Sequence, residues 1–270
     1  MNSESNSKSP LAGLTLMVTR PELQAQSMAD SLRKLGADVL IEPVIEILPP
    51  TEWSDLDRAI RETVEGRVST LVFVSVNGVR VFVDRSTQLA QTAKLNETLK
   101  RAKVRVLGIG RATCEALADR DIEATTVPGK SDSSSMADFL IGQPDDGGNG
   151  RILIVRADRG SDVLPECLSD AGIKFEQVVA YRSVDRKTAS TNSTQAVEAG
   201  EIDWVTVTSS AIAGSVARLF GDALNHTKLV SISPTTSATL RELGHSPAAE
   251  ATDYNMSGVI EAIIAAEEAT

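Results

Sequence analysis

"LTLMVTRPELQAQSMADSLRKLG", residues 14–36, and "ILIVRADRGSDVLPECLSDAG", residues 152–172, carry one script written twice. Each opens on an apolar run, turns at an arginine, continues as an amphipathic helix and stops at a glycine. In the first, Ala25, Met28, Leu32 and Leu35 recur at helical spacing; in the second, Leu164, Leu168 and Ala171 do. Gly36 and Gly172 follow the last periodic residue, where the turn that ends a helix favours glycine. Arg20 falls opposite Arg156. The correspondence continues: "LVFVS" from Leu71 answers "VTVTS" from Val205, "GRATCEAL" from Gly110 answers "SPTTSATL" from Ser233, and "MADFLI" from Met136 answers "MSGVIEAI" from Met256. The pattern reads as a duplication with a cleft between its copies.

Composition supports that reading. A chain of 270 residues with 41% hydrophobic content exceeds the needs of a single core, so two domains are expected. Aromatic residues make up only 3%, so burial falls to Val, Ile, Leu and Ala, as in parallel strands covered by helices on both faces. Strands are predicted at residues 14–19, 38–46, 70–75, 104–108, 123–127, 151–155, 175–182, 203–208, 229–233 and 248–251, with helices between most of them. That alternation predicts an α/β protein with parallel sheets and right-handed crossovers. Loops are predicted from Ile47 ("ILPPTEWSD"), Gly142 ("GQPDDGGNG") and Asp185 ("DRKTASTNST"). The opening "MNSESNSKSP", residues 1–10, reads as a disordered tail rather than a signal peptide or anchor.

The function classes narrow next. A formal charge of −10 leaves no basic stripe for nucleic acid or an anionic membrane, and no apolar stretch is long enough to cross a bilayer. Cys114 and Cys167 lie inside helical patterns without metal-type spacing, which fits a reducing, cytoplasmic setting. His226 and His245 sit in polar turns without partners at ligand spacing, so no metal site is expected. Gly108 and Gly110 begin a dinucleotide-like fingerprint, but Thr113 occupies its third glycine position.

Ligands of parallel sheets bind at the carboxyl ends of the strands. Here those ends carry Thr19 and Arg20, Ser75 to Asn77, Gly108 to Arg111, Arg156 to Arg159, Thr208 to Ser210, and Ser233 to Thr236. Hydroxyls, glycines and a proline at such places are ordinary helix starters. Together they also supply several helix N-termini with free N–H groups and partial positive charge, suited to a ligand with many carboxylates or phosphates. Asp158 is a possible internal partner for the arginines of "RADR" at 156–159.

Taken over its whole length, the chain resembles the uroporphyrinogen-III synthase family. The resemblance rests on "LMVTRPELQAQSMADSLRKLGADVLIEPV" from Leu16, "VFVSVNGV" from Val72, "VLGIGRATCEAL" from Val106, "VRADRGSDVLPECLSDAGIKFEQVVAYRS" from Val155, "WVTVTSSAIAGSV" from Trp204 and "VSISPTTSATLRELG" from Val230. It implies two α/β domains, each a parallel sheet flanked by helices, joined by a two-stranded connection with the active site in the cleft. It also implies an interleaved path: residues 1–44 and 184–270 form a discontinuous first domain, and residues 45–183 an inserted second one. The crossings are "EPVIEILPP" and "VVAYRSVDR". The implied reaction closes the linear tetrapyrrole hydroxymethylbilane with inversion of its last ring and loss of water, without cofactor, in a cytoplasmic monomer. The alternative from another class is a two-lobed module that binds a polyanion without catalysis.

The resemblance assigns residues as well. Tyr181 matches the tyrosine at the domain connection favoured as proton donor to the departing hydroxyl. Thr113 and Thr236 match threonines lining the cleft, with Thr235 beside the latter. Ser75 and Ser209, followed by Ser210, match serines ending paired strands. Arg20 and Arg156 stand where a basic residue is frequent. Two positions depart from the family pattern: Ala157 replaces a frequent glycine, and Val76 follows Ser75 in place of a polar residue or proline.

Overall fold

The computed structural model describes residues 9–101, 104–127, 132–143 and 151–269. Residues 1–8 of the expected tail and 144–150 of the loop from Gly142 lie outside the described residues. Along the chain run β1 (Thr15–Val18), α1 (Glu22–Lys34), β2 (Asp38–Ile41), β3 (Ile45–Leu48), α2 (Ser54–Val64), β4 (Thr70–Phe73), α3 (Val76–Gln88) and α4 (Thr92–Arg101). Then come β5 (Arg105–Gly108), α5 (Arg111–Ala118), β6 (Thr125–Thr126), α6 (Ser133–Ile141), β7 (Ile152–Ala157), α7 (Val163–Asp170) and β8 (Phe175–Asp185). The last part holds α8 (Thr191–Glu198), β9 (Trp204–Val207), α9 (Ser210–Phe220), a short 3-10 turn, β10 (Lys228–Ser231), α10 (Pro234–Glu242), β11 (Ala249–Glu250) and α11 (Met256–Glu268).

The chain divides into two compact units, residues 1–46 with 184–270, and residues 47–183. The first contains a sheet of order β11-β10-β9-β1-β2, and the second one of order β3-β8-β7-β4-β5-β6. Within the first sheet β1 pairs parallel with β2 and β9, and β10 with β9 and β11. Within the second, β4 pairs parallel with β5 and β7, β5 with β6, and β7 with β8. Replacing β1, β2, β9, β10 and β11 by β7, β8, β4, β5 and β6 turns the first order into the second but for its edge strand β3. Each opening β-α-β therefore shares a sheet with the later strands of the other repeat. The chain passes between the units within β3 and again near the end of β8, strands that neighbour each other in the second sheet.

The central strands of both sheets, such as β4 and β9, are buried on both faces, which is why they read as apolar runs rather than as alternation with polar residues. In the second unit Leu71 and Phe73 join one core with Ile60, Phe82, Val155 and Ala180, while Val72 faces another with Leu107, Ile154, Leu164 and Leu168. Phe73 and Phe82 meet edge to face, ring centres 5.5 Å apart. In the first unit Leu16 and Val18 pack with Met28, Leu32, Trp204 and Val259. The predicted helix faces hold except at their ends: Leu35 and Ala171 are the C-cap residues of α1 and α7, and Ala171 is exposed.

Two predicted segments come out differently. The strand expected over 38–46 is two strands, because Pro43, without an N–H, separates β2 from β3. The loop expected from Asp185 contains the start of α8, capped by Ser190, whose Oγ accepts from Ser193 N–H at 3.1 Å. Buried Glu42 anchors this helix: its Oε2 accepts from Ser190 Oγ and Ser193 Oγ, both at 2.6 Å, and from Ser190 N–H at 3.2 Å. A carboxylate inside a core requires such donors.

Candidate functional site

In the second unit β4, β5 and β7 end beside the starts of α3, α5 and α7. Ser75 leaves β4 in an extended conformation and caps α3, accepting Gly78 N–H at 3.1 Å. A serine cap satisfies one of the orphan donors of a first turn. The same Oγ lies 2.9 Å from Tyr181 Oη, so two of the predicted residues, far apart in the chain, are hydrogen-bonded to each other. Tyr181 reaches Ser75 because the β7–β8 ladder slips between Arg156 and Ala157: Arg156 faces Val179, and Ala157 faces Tyr181. Bulges of this kind re-aim side chains. Here the slip buries both Ala180 and Tyr181, and Asp158 N–H closes the ladder on Tyr181 O at 3.0 Å.

The phenol's electrostatics follow from these neighbours. Burial pushes the Tyr181 hydroxyl above its ordinary value of 10.0; hydrogen bonds from Ser75 and Asn77 pull the other way, and the charges of Asp158 and Arg156 oppose each other. At neutral pH the group is a protonated phenol, a donor with a proton to give. The sequence places Asn77 at this strand end but gives it no role; its signal was its place two residues after a cap serine.

Thr113 is buried in the first turn of α5, its N–H donating to Gly110 O at 3.1 Å. Gly110 has φ 81°, which glycine tolerates, and provides no side-chain cap, so the first N–H groups of α5 point beyond the helix. Gly108 has a structural reason as well: a Cβ there would lie 2.9 Å from Cys114 Sγ, so the glycine brings α5 against its strand. Arg156 donates to Asp162 Oδ1 at 2.9 Å and to Gln177 Oε1 at 2.7 Å. Asp158, a possible partner for the arginines of 156–159, accepts Ser183 N–H at 2.9 Å. The hollow of about 530 Å³ beside Arg156 is lined by Asp162, Glu166 and Asp170, a surface unsuited to a polyanion.

The first unit repeats the caps. Ser209 accepts Ile212 N–H at 3.2 Å on α9, and Ser210 Oγ accepts from Thr239 Oγ1 at 2.9 Å, tying α9 to α10. Ser233 caps α10 ahead of Pro234, and Thr236 is buried, donates its N–H to Ser233 Oγ at 3.4 Å and has its own Oγ1 3.2 Å from the same oxygen. Thr235 is exposed. Arg20 follows β1, half-buried, and donates to Gln24 Oε1 at 2.7 Å. Burial lowers its guanidinium to about 10, so it stays charged at neutral pH, with a neutral amide rather than a carboxylate as its partner. The constant spacing that pairs Arg20 with Arg156 and Gly36 with Gly172 pairs Tyr181 with Ile45, a buried aliphatic residue.

Among the described residues no group of His, Cys, Asp and Glu has the geometry of a metal site, and no helix is long and apolar enough to cross a membrane. Cys114 and Cys167 are free thiols, only partly buried.

Comparison with known proteins gives the same result at both levels. The structure is similar to that of a triple mutant of uroporphyrinogen III synthase from Thermus thermophilus, with TM-score 0.65, 17% identity, and 95% of this chain and 100% of that one covered. It is also similar to uroporphyrinogen-III synthetase from Helicobacter pylori, with TM-score 0.61, 17% identity, and 93% and 99% covered. In sequence the chain is 26% identical over 263 residues to the uroporphyrinogen-III synthase of Synechococcus elongatus, covering 94% of this chain and 96% of the relative. It is 25% identical over 234 residues to that of Chlorobaculum parvum, covering 85% and 89%. The family model described as uroporphyrinogen-III synthase HemD matches residues 26–261. With that match spanning most of its length, the chain belongs to the uroporphyrinogen-III synthase family.

Proposed function

We propose that the protein closes hydroxymethylbilane into uroporphyrinogen III, inverting the last pyrrole ring and releasing water, as a carbon–oxygen lyase of tetrapyrrole biosynthesis. Family membership across residues 26–261 is the support for the substrate, and the phenol held at the start of α3 is the observation that carries the chemistry. Ionisation of the hydroxymethyl group, assisted by its electron-rich pyrrole, needs a proton for the departing oxygen. Tyr181 supplies it, and the oxygen leaves as water. The last ring attacks the resulting azafulvene cation through its substituted carbon, and the spiro intermediate fragments and re-closes. The proton lost as the final ring regains aromaticity returns to the Tyr181 phenolate, so the cycle balances without oxidant or reductant.

The remaining work is positioning. A flexible chain must be folded so that the substituted carbon attacks, which is the entropic contribution a binding site makes. The carboxylates are taken by Arg20, by the uncapped N–H groups of α5 near Thr113, and by the hydroxyl-bearing first turns around Ser209, Ser210, Thr235 and Thr236. Ser75 and Arg156 belong to the same strand ends. Incubation with freshly prepared hydroxymethylbilane, oxidation and identification of the uroporphyrin isomer tests the reading: isomer III is expected, and isomer I alone overturns it.

A further inference from the structure

Ser75 Oγ has one proton and two acceptor positions. Gly78 N–H occupies one acceptor position, at 3.1 Å. The contact to Tyr181 Oη at 2.9 Å uses either the other one or the serine proton. The hydroxyl is thus already engaged on two sides within its own unit, which ill suits a residue whose task is to hold a substrate carboxylate. Ser209 has the same cap bond without a phenol beside it, so capping alone does not require the tyrosine contact.

We infer that Ser75 is a positioning residue for Tyr181. It fixes the phenol against the first turn of α3 and, as the phenol proton leaves, turns its own O–H onto the phenol oxygen. The serine thereby acts on the reaction through the tyrosine and not by touching the substrate. The inference deepens the synthase reading and rests on Tyr181 as its acid.

Three features converge on this role. The Gly78 bond locks the serine oxygen in place, so the serine proton alone is left to reorient. Asn77, one position into α3, favours the ionised form of the same phenol, as Ser75 does. The N-terminus of α3 carries partial positive charge where negative charge forms on the tyrosine oxygen. In the opposite arrangement, with the phenol donating to Ser75, the acid proton is stored; reversal of that single hydrogen bond releases it.

The test uses the chain's small tyrosine count. It has two tyrosines, so Tyr254→Phe leaves Tyr181 as the sole phenol. Labelling with 3-fluorotyrosine brings ionisation into an accessible range, and phenolate absorbance reads the midpoint in the folded protein. Ser75→Ala removes cap and donor; Ser75→Asp keeps a capping side chain but cannot donate; Ser75→Thr keeps both. The expected result is an upward shift of the midpoint in Ser75→Ala and Ser75→Asp, with kcat lowered on the order of tenfold and KM changed less than about twofold. Ser75→Thr restores both, and Ser209→Ala leaves the midpoint where it was. An unmoved midpoint in Ser75→Ala, which removes the donor without adding a charge, overturns the inference, as does a loss confined to KM, which makes Ser75 a substrate ligand. The titration needs no substrate, so a wild-type protein that yields only isomer I sinks the synthase reading without deciding the Ser75–Tyr181 coupling, which the midpoint decides.

Discussion

Ser75 and Ser209 do one local job in two sheets of matching strand order, yet only Ser75 has a phenol at its oxygen. The arginines differ in the same lopsided way: Arg156 is satisfied by Asp162 and Gln177, while Arg20 is half-buried with Gln24 beside it. Both units present strand ends to helix N-termini. On the proposed reading the differences divide the labour. The second unit supplies the acid and the first a charge with an amide beside it. An unbalanced buried charge costs stability unless a ligand completes it, whereas a satisfied one is part of the scaffold.

Removing the phenol tests that division most severely. Tyr181→Phe is expected to lower turnover by up to about 10²-fold, the low end of general acid catalysis, because the pyrrole itself assists ionisation. The isomer of the remaining product stays unchanged, since inversion is set by how the substrate is folded. The mirrored change, Ile45→Val, removes one buried methylene and costs about 1 kcal/mol of stability with turnover retained. Steady-state rates with isomer analysis, beside thermal unfolding, separate the two. Full turnover in a folded Tyr181→Phe protein makes the tyrosine a packing residue and removes the asymmetry.

The arginines give the next largest effect. Arg20→Leu is expected to raise KM on the order of tenfold, the size of one charge-assisted hydrogen bond, while the free protein unfolds at the same temperature or higher. Arg156→Leu raises KM less, because its guanidinium is already spent on Asp162 and Gln177. Equal KM increases from the two variants break the comparison.

How much of this was written in the sequence depends on the range of the interaction. Strand and helix alternation was legible, because runs such as Leu71 to Phe73 are buried on both faces and show it locally. The cap residues Ser75, Ser209 and Ser233 were legible for the same reason. Alternation across Pro43 did not reveal that β2 and β3 belong to different sheets, since periodicity reports a residue's exposure and not its pairing partner. Asp162, six residues beyond Arg156, displaced Asp158 as its partner because Asp158 is drawn to Ser183 N–H across the strand pair. The Ser75–Tyr181 bond depends on a register slip between β7 and β8, and no local pattern announces one.

Smaller effects come from the caps. Ser209→Ala and Ser233→Ala are each expected to cost about 1 kcal/mol, the usual loss when a helix start gives up its side-chain acceptor. Denaturant unfolding measures the loss, and a value near zero shows that neighbouring groups replace the serine oxygen.

The smallest contrast is acid sensitivity. In the second unit, hydrogen bonds from Arg85 hold the Asp57 carboxyl below its ordinary value, and Arg85 lies over the Trp53 ring, 4.4 Å from its centre. Burial pushes Glu176 up, but hydrogen bonds from Arg151 and Arg58 outweigh it and hold it low. The first unit has Glu267, held low chiefly by Lys228 and also bonded by Trp204 Nε1–H at 2.8 Å. A carboxyl with a depressed folded value gives stability that is fully present above its unfolded value and fades as pH falls through the folded one. The ordinary values are 3.8 for Asp57 and 4.5 for the two glutamates, so the loss begins below them. With two such groups against one, the second unit is expected to give way at the higher pH. The chain's two tryptophans, Trp53 and Trp204, fall one in each unit, so fluorotryptophan resonances followed from neutral pH downward report them separately. The Trp53 signal moves to its unfolded position first if the arginine-held carboxylates set the order; simultaneous loss means the units unfold as one, and the reverse order places the weaker salt bridges in the first unit.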